Sequence, residues 1–116
     1  MNIEEFRDYC LSKRGTGETF PFDEVTLVFK VMGKMYALTS LDGEFSINLK
    51  CNPEKAIELR ETYSSVTPGY HMSKKHWNTI LMNDLIPDWL IKEWIDDSYD
   101  LVVQSLPKKL RQELNQ

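Results

Sequence analysis

Apolar positions along the chain change period several times, and the changes mark its elements. Ile3, Phe6 and Cys10 recur at i, i+3 and i+7 behind Asn2, with Glu5 three residues beyond that cap, which predicts a helix from about Ile3 to Lys13. Gly15, Gly17 and Pro21 then break the period. The stretch RGTGETFPF therefore reads as a loop, with Phe20 and Phe22 expected to pin it to the core. From Val25 to Val31 the odd positions Val25, Leu27, Phe29 and Val31 share one strand face, Met32-Gly33 turns the chain, and Lys34 to Leu41 returns it. Asp42-Gly43 signals a two-residue hairpin, because a type I′ turn needs the positive φ that Asp and Gly tolerate. Beyond it Phe45, Ile47 and Leu49 point one way while Ser46, Asn48 and Lys50 point the other. One face of the resulting sheet is core, and the other is polar enough to meet solvent or a partner.

The second half continues the pattern. Asn52 caps a helix with Pro53 at its first position, buried through Ala56, Leu59 and Tyr63 and ending near Glu61. Ser64 to Met82 is extended in character, bent at Thr67-Pro68-Gly69, with WNTILM from Trp77 to Met82 as a strand. A long helix starts at Pro87 with Asp88 at its positive end, and Ile91, Trp94, Ile95, Ser98, Leu101 and Val102 trace its apolar stripe. Its other face carries Lys92, Glu93, Asp96, Asp97, Asp100 and Gln104 and reads as solvated and acidic. Pro107 stops it and begins the short helix PKKLRQEL. The order is α, three strands, α, two strands, α, with tight hairpins making the sheet antiparallel.

Composition narrows this to one soluble domain spanning 1–116: the chain has 116 residues, 41% hydrophobic and 28% charged. No apolar run approaches the roughly 20 residues of a membrane span, and MNIEEFRDYC carries acids where a secretory signal has bases, so a cytoplasmic protein with no membrane partner is expected. Cys10 and Cys51 stand in no C-x-x-C pattern and read as small core residues. A net charge of −4 confines any phosphate binding to a local basic patch.

Candidate chemistry is sparse. His71 and His76 are five residues apart in an extended segment, without the i, i+4 helical spacing of a two-ligand metal site, and no carboxylate motif accompanies them. GTGETF lacks the Lys-Ser/Thr ending of a phosphate loop. Glu93, Asp96, Asp97 and Asp100 read as a helix surface rather than a catalytic cluster. No catalytic residue, metal or cofactor is assigned, and the chain is read as a non-enzyme. What remains is Tyr70, Lys74, Lys75, His76 and Trp77, a basic stretch interleaved with aromatics, and a second cluster at Lys108, Lys109 and Arg111. Such groups can bring cations to phosphates while a ring packs or stacks. Trp77 at a strand start reads equally as core.

The segments FPFDEVTLVFKVMGKMYAL (Phe20 to Leu38), INLKCNPEKAIELR (Ile47 to Arg60), VTPGYHMSKKHWNTI (Val66 to Ile80) and SYDLVVQSLPKKLR (Ser98 to Arg111) together resemble the MmcQ/YjbR family. The resemblance implies a CyaY-like (frataxin-like) α+β fold: a two-layer arrangement with an antiparallel sheet of about five strands against N- and C-terminal helices. It also implies similarity to a double-wing DNA-binding domain, from which many members are labelled DNA-binding. The family's PGYHM-x-KKHWN falls on Pro68 to Met72 and Lys74 to Asn78. Frataxin-like iron binding would need an acidic ridge, of which Glu4, Glu5 and Asp8 are a thin version. Two readings follow. One is weak, salt-sensitive DNA binding through Lys74, Lys75, His76, Lys108, Lys109 and Arg111. The other is a protein- or small-ligand-binding module with a cleft between the sheet and the last large helix.

Overall fold

A computed structural model describes residues 1–69 and 72–116. Six strands, β1 (Thr16–Thr19), β2 (Thr26–Val31), β3 (Lys34–Ser40), β4 (Ser46–Lys50), β5 (Val66–Pro68) and β6 (Trp77–Leu81), form one sheet in the order β1-β2-β3-β4-β6-β5. Every neighbouring pair is antiparallel. Four helices, α1 (Ile3–Leu11), α2 (Pro53–Thr62), α3 (Asp88–Ser105) and α4 (Lys108–Leu114), complete a two-layer α+β fold. Among the described residues no helix is long and apolar enough to cross a membrane.

Local chemistry sets the helix ends. Asn2 accepts from the Glu5 N–H at 2.8 Å while the Glu5 carboxylate accepts from the Asn2 N–H, a reciprocal capping box. Asn52 accepts from the Glu54 N–H ahead of Pro53. Met32 and Gly33 both take positive φ, 49° and 87°, as a type I′ turn demands.

The core lies between the helices and one face of the sheet. Leu27, Phe29 and Val31 of β2 and Ile47 and Leu49 of β4 meet Phe6 and Cys10 of α1 and Ile91, Trp94, Ile95 and Val102 of α3. Phe6 stands edge-on to Phe29 with centroids 5.5 Å apart, a favoured aromatic geometry. A register shift between Phe29 and Lys30 accommodates an extra residue in β3, and Tyr36 turns into the core, where its hydroxyl donates to the Cys10 carbonyl at 3.0 Å. Ser98, the polar member of the α3 stripe, is fully buried because it is fully used: its hydroxyl donates to the Tyr36 carbonyl and accepts from the Lys50 N–H.

Four expectations need correction. Thr16–Thr19 is a strand, paired with β2, rather than part of a loop. Phe20 and Phe22 do not pin that segment inward, being 47% and 66% exposed. The β3–β4 connection is a five-residue loop, 41–45, rather than a two-residue hairpin. The Leu41 N–H donates to the Val25 carbonyl, which carries the end of β3 on along the β2 side, while the Thr39 hydroxyl donates to the Ser46 carbonyl and ties the base of the loop to β4, with Gly43 at φ 77°. The outward face of α3 is not simply solvated: Asp96 accepts from the Tyr9 hydroxyl at 2.6 Å and pairs with Lys13, and Asp97 pairs with Lys55 at 3.1 Å.

Candidate ligand-binding groove

The strand residues that do not face the helices build a second surface. By register, Val28, Leu38, Asn48 and Thr79 stand side by side across β2, β3, β4 and β6, flanked by Lys30, Met35, Lys50 and Trp77 toward one end and by Thr26, Ser40 and Ser46 toward the other. Val28, Leu38 and Trp77 form a small cluster of their own, with Met35 and Met72 packed against it. No helix lies over them among the described residues. This face was anticipated as polar, and its margins are. Its centre is apolar, because Val28, Leu38 and Trp77 occupy alternate positions that the period-2 pattern leaves facing away from the helices.

Two segments rise beside this floor and make it a groove of about 1030 Å³. One is the entry to β2, with Phe22, Asp23 and Val25, and the other is residues 72–73 ahead of β6. Each is held by specific bonds. The Asp23 carboxylate accepts from the Thr26 and Val25 N–H groups and from the Thr26 hydroxyl, and these bonds hold its pKa below the usual carboxylate range. On the other side Arg60 of α2 donates to the Asn78 side-chain oxygen at 2.6 Å, to the Lys74 carbonyl and to the Trp77 carbonyl at 3.3 Å. Asn78 in turn donates to the Ala56 carbonyl. Gly69 lets β5 close against this point: a Cβ there would sit 2.7 Å from the Trp77 Cβ and 3.0 Å from its carbonyl oxygen. Sequence reasoning missed Arg60, since an Arg in a helix carries no signal of the loop it clamps.

The charge along this face is uneven. Among the described residues lining the groove, Asp23 and Asp42 are the charged ones. The rim segments that hold them, 20–25 and 41–45, contain also Glu24 and Glu44 and no base. Lys30, Lys50, Lys74 and Lys75 lie toward the opposite end, and none of the four is in an ion pair among the described residues.

The residues singled out in the sequence are not brought together. Lys74 and Lys75 are exposed beside the groove, and His76 is half-buried, its carbonyl accepting from the Cys51 N–H at 2.7 Å. Tyr70 and His71 lie outside the described residues. Trp77 is 7% exposed and belongs to the groove floor. Lys108, Lys109 and Arg111 are exposed on α4, which packs through Leu114 into the helix-side core beside Gly15, at the β1 edge. Four strand spacings, about 19 Å, separate that edge from β6. The two basic clusters are therefore anchored at different edges and on different layers. Among the described residues no group of three or more His, Cys, Asp or Glu side chains could hold a metal, Glu4, Glu5 and Asp8 included. Between the sheet and α3 there is room for about 20 Å³, lined by Cys51, Lys55, Leu59, Asn78, Trp94 and Asp97 among others, which admits little more than a water molecule. The ligand-sized space is on the other face. Cys10 is fully buried, with its thiol pushed up to about 12 by burial, and Cys51 is half-buried, its thiol also raised by burial.

A one-sided sheet with helices behind it and a groove in front defines a two-layer α+β domain. The chain belongs to the YjbR family, which it matches over residues 11–101. It is 32% identical to the uncharacterized protein YjbR of Escherichia coli (strain K12) over 117 residues, covering 100% of this chain and 99% of that one. With the uncharacterized protein YbdF of Escherichia coli O157:H7 it shares 42% identity over 91 residues, 78% of this chain and 75% of the relative. The crystal structure of Deinococcus radiodurans protein DR2400, of the domain DUF419, superposes with a TM-score of 0.91 at 40% identity, covering 98% of this chain and 88% of that one.

Proposed function

We propose that this chain is a non-enzymatic binding module whose site is the groove on the helix-free face of the sheet. The observation that carries the reading is a ligand-sized concavity with an apolar floor of Met35, Leu38, Met72 and Trp77 and a rim of hydroxyl and carboxylate groups. Its volume is that of ordinary small-ligand sites, and few polar groups ring a largely apolar bed, as recognition of an amphipathic ligand requires. Cytoplasmic residence belongs to the same reading, since both cysteines are free and suit a reducing compartment. The neutral dye Nile red tests the site. Its emission should rise and shift to the blue on addition of the protein, and a Met35→Lys variant, which places an ammonium at the groove floor, should abolish the change. Dye binding that Met35→Lys leaves intact would sink the groove as the site.

A second reading is contact with nucleic-acid phosphates, favoured by Lys74 and Lys75 at one end of the groove, which are exposed and in no ion pair among the described residues. It ranks below the first because Asp23 and Asp42 line the adjoining groove and repel phosphate, and because the α4 bases are anchored at the far edge. Titration of duplex and single-stranded DNA at low and moderate salt separates the two. Salt-sensitive binding that disappears in a Lys74→Ala/Lys75→Ala variant establishes phosphate contact, whereas no binding at low salt removes it.

A further inference from the structure

The groove also indicates what shape of ligand it takes. Its floor is the face of β2, β3, β4 and β6, strands that each have a neighbour on both sides, so it presents side chains rather than a strand's hydrogen-bonding edge, although β2 runs past β1 at Thr26 and β3 runs past β4 at Met35. An extended peptide lying there would bring its own backbone N–H and C=O groups against Met35, Leu38, Met72 and Trp77 with no partners, and unpaired buried peptide groups are costly. A helix satisfies its backbone internally and presents only side chains. The dimensions agree. Four strands span about 14 Å, and a helix with its side chains is about 10–12 Å across. Met35 and Met72, unbranched and polarizable, adapt to the side chains such a helix inserts.

Charge selects among helices. Among the described lining residues the charged ones are carboxylates, Asp23 and Asp42, and Glu24 and Glu44 stand beside them on the rim. Phe22, 66% exposed on the same rim, offers a ring face to a cation and an apolar edge to a side chain. At the opposite end Lys30, Lys50, Lys74 and Lys75 would meet the negative end of a helix dipole.

Resting on the groove as the binding site, we propose that its occupant is an amphipathic helix of a partner protein, with basic residues toward the helix N-terminus set against Asp23 and Asp42 and the helix C-terminus directed at Lys50 and Lys74. The probe is a labelled amphipathic helical peptide of about 15 residues with Leu on one face and Lys confined to its N-terminal half (Leu/Lys), long enough to hold some helix alone, with a Leu/Glu peptide of the same pattern as control. Anisotropy should show binding of the Leu/Lys peptide that weakens with salt. It should fall by about fivefold to tenfold in an Asp23→Asn/Asp42→Asn variant and vanish in Met35→Lys. Asn keeps the acceptor that Asp23 offers to Val25 and Thr26, so that variant retains its fold, and circular dichroism of both variants verifies it. Equal or tighter binding of the Leu/Glu peptide overturns the inference. If Nile red still binds and neither peptide does, the groove stands as a site and the helix is refuted. Sedimentation equilibrium covers the remaining occupant: a dimer that Met35→Lys dissociates and the peptide cannot invade overturns the inference in favour of a second copy of this chain.

Discussion

The two faces of the sheet are made by alternate residues of the same strands, yet one is finished and the other is not. On the helix side Phe29 and Ile47 are fully buried and meet side chains from α1 and α3. On the open side Val28 is equally buried, but Phe22, Val25 and Leu41 remain 66%, 38% and 50% exposed around it. Burial on the first face serves folding, while the second retains apolar surface that a stable monomer has no use for, clustered where it borders a groove. The difference teaches that stability and binding are assigned here to opposite parities of one strand pattern. Substitutions on the two faces should therefore separate them.

The largest effect should come from the finished face. Phe29→Ala removes a fully buried ring packed against Phe6 and should lower unfolding free energy by about 3–5 kcal/mol, read from urea denaturation. Met35→Ala on the groove floor, partly exposed already, should lose only about 1 kcal/mol. Equal losses at the two positions would erase the distinction between the faces. Next in size is the joint that holds the groove wall. Gly69→Ala drives a methyl into the Trp77 Cβ and carbonyl, which are backbone-fixed and cannot swing away, and should destabilise by about 1–3 kcal/mol. Arg60→Ala leaves the Trp77 carbonyl and Asn78 side-chain oxygen without their charged donor and should lower stability by about 1–2 kcal/mol. It should also speed hydrogen exchange at Trp77, whose N–H bonds to the Ser73 carbonyl inside the clamped turn.

The finished face was the legible one. Its residues carry the strong periods: Ile91, Trp94, Ile95, Ser98 and Val102 of α3, Leu27, Phe29 and Val31 of β2, and Ile47 and Leu49 of β4 bury as their spacing predicts, whereas Leu101 is half-buried and Val25, expected on the same face as Leu27, stands 38% exposed at the groove. The open face is diluted, with Val28 and Leu38 set among Thr26, Lys30, Ser40 and Asn48, so a period-2 reading scores it as polar. β1 was illegible for a related reason. TGET has no apolar residue, and it is a strand because β2 offers it an edge, which is a tertiary cause. The Lys74-Lys75 stretch drew attention as chemistry, whereas Gly69, Arg60 and Trp77 around it have steric and hydrogen-bonding roles that only the β5–β6–α2 junction reveals.

The smallest effect sharpens the comparison through two carboxylates, one on each face. Glu18 on β1 is held by Arg7 of α1, whose guanidinium donates to both its oxygens at 2.7 and 2.5 Å, and this pairing lowers its pKa. Asp23 at the groove rim is lowered by neutral donors, the Thr26 N–H first and the Val25 N–H second. Both pKa values are lower folded than unfolded. Each group therefore contributes stability that is fully present above the ordinary carboxylate range, about 4, and is lost as pH falls through the folded value. Ionic strength distinguishes them. An exposed ion pair is screened while short backbone bonds are not, so about 1 M salt should return the Glu18 midpoint most of the way toward its ordinary value and leave that of Asp23 depressed. Carboxylate NMR titrations at low and high salt measure both at once. A depression at Asp23 that salt removes would mean that the groove rim is organised by charge rather than by its backbone. The acidic end of the groove would then be set by its ligand and not built in advance of it.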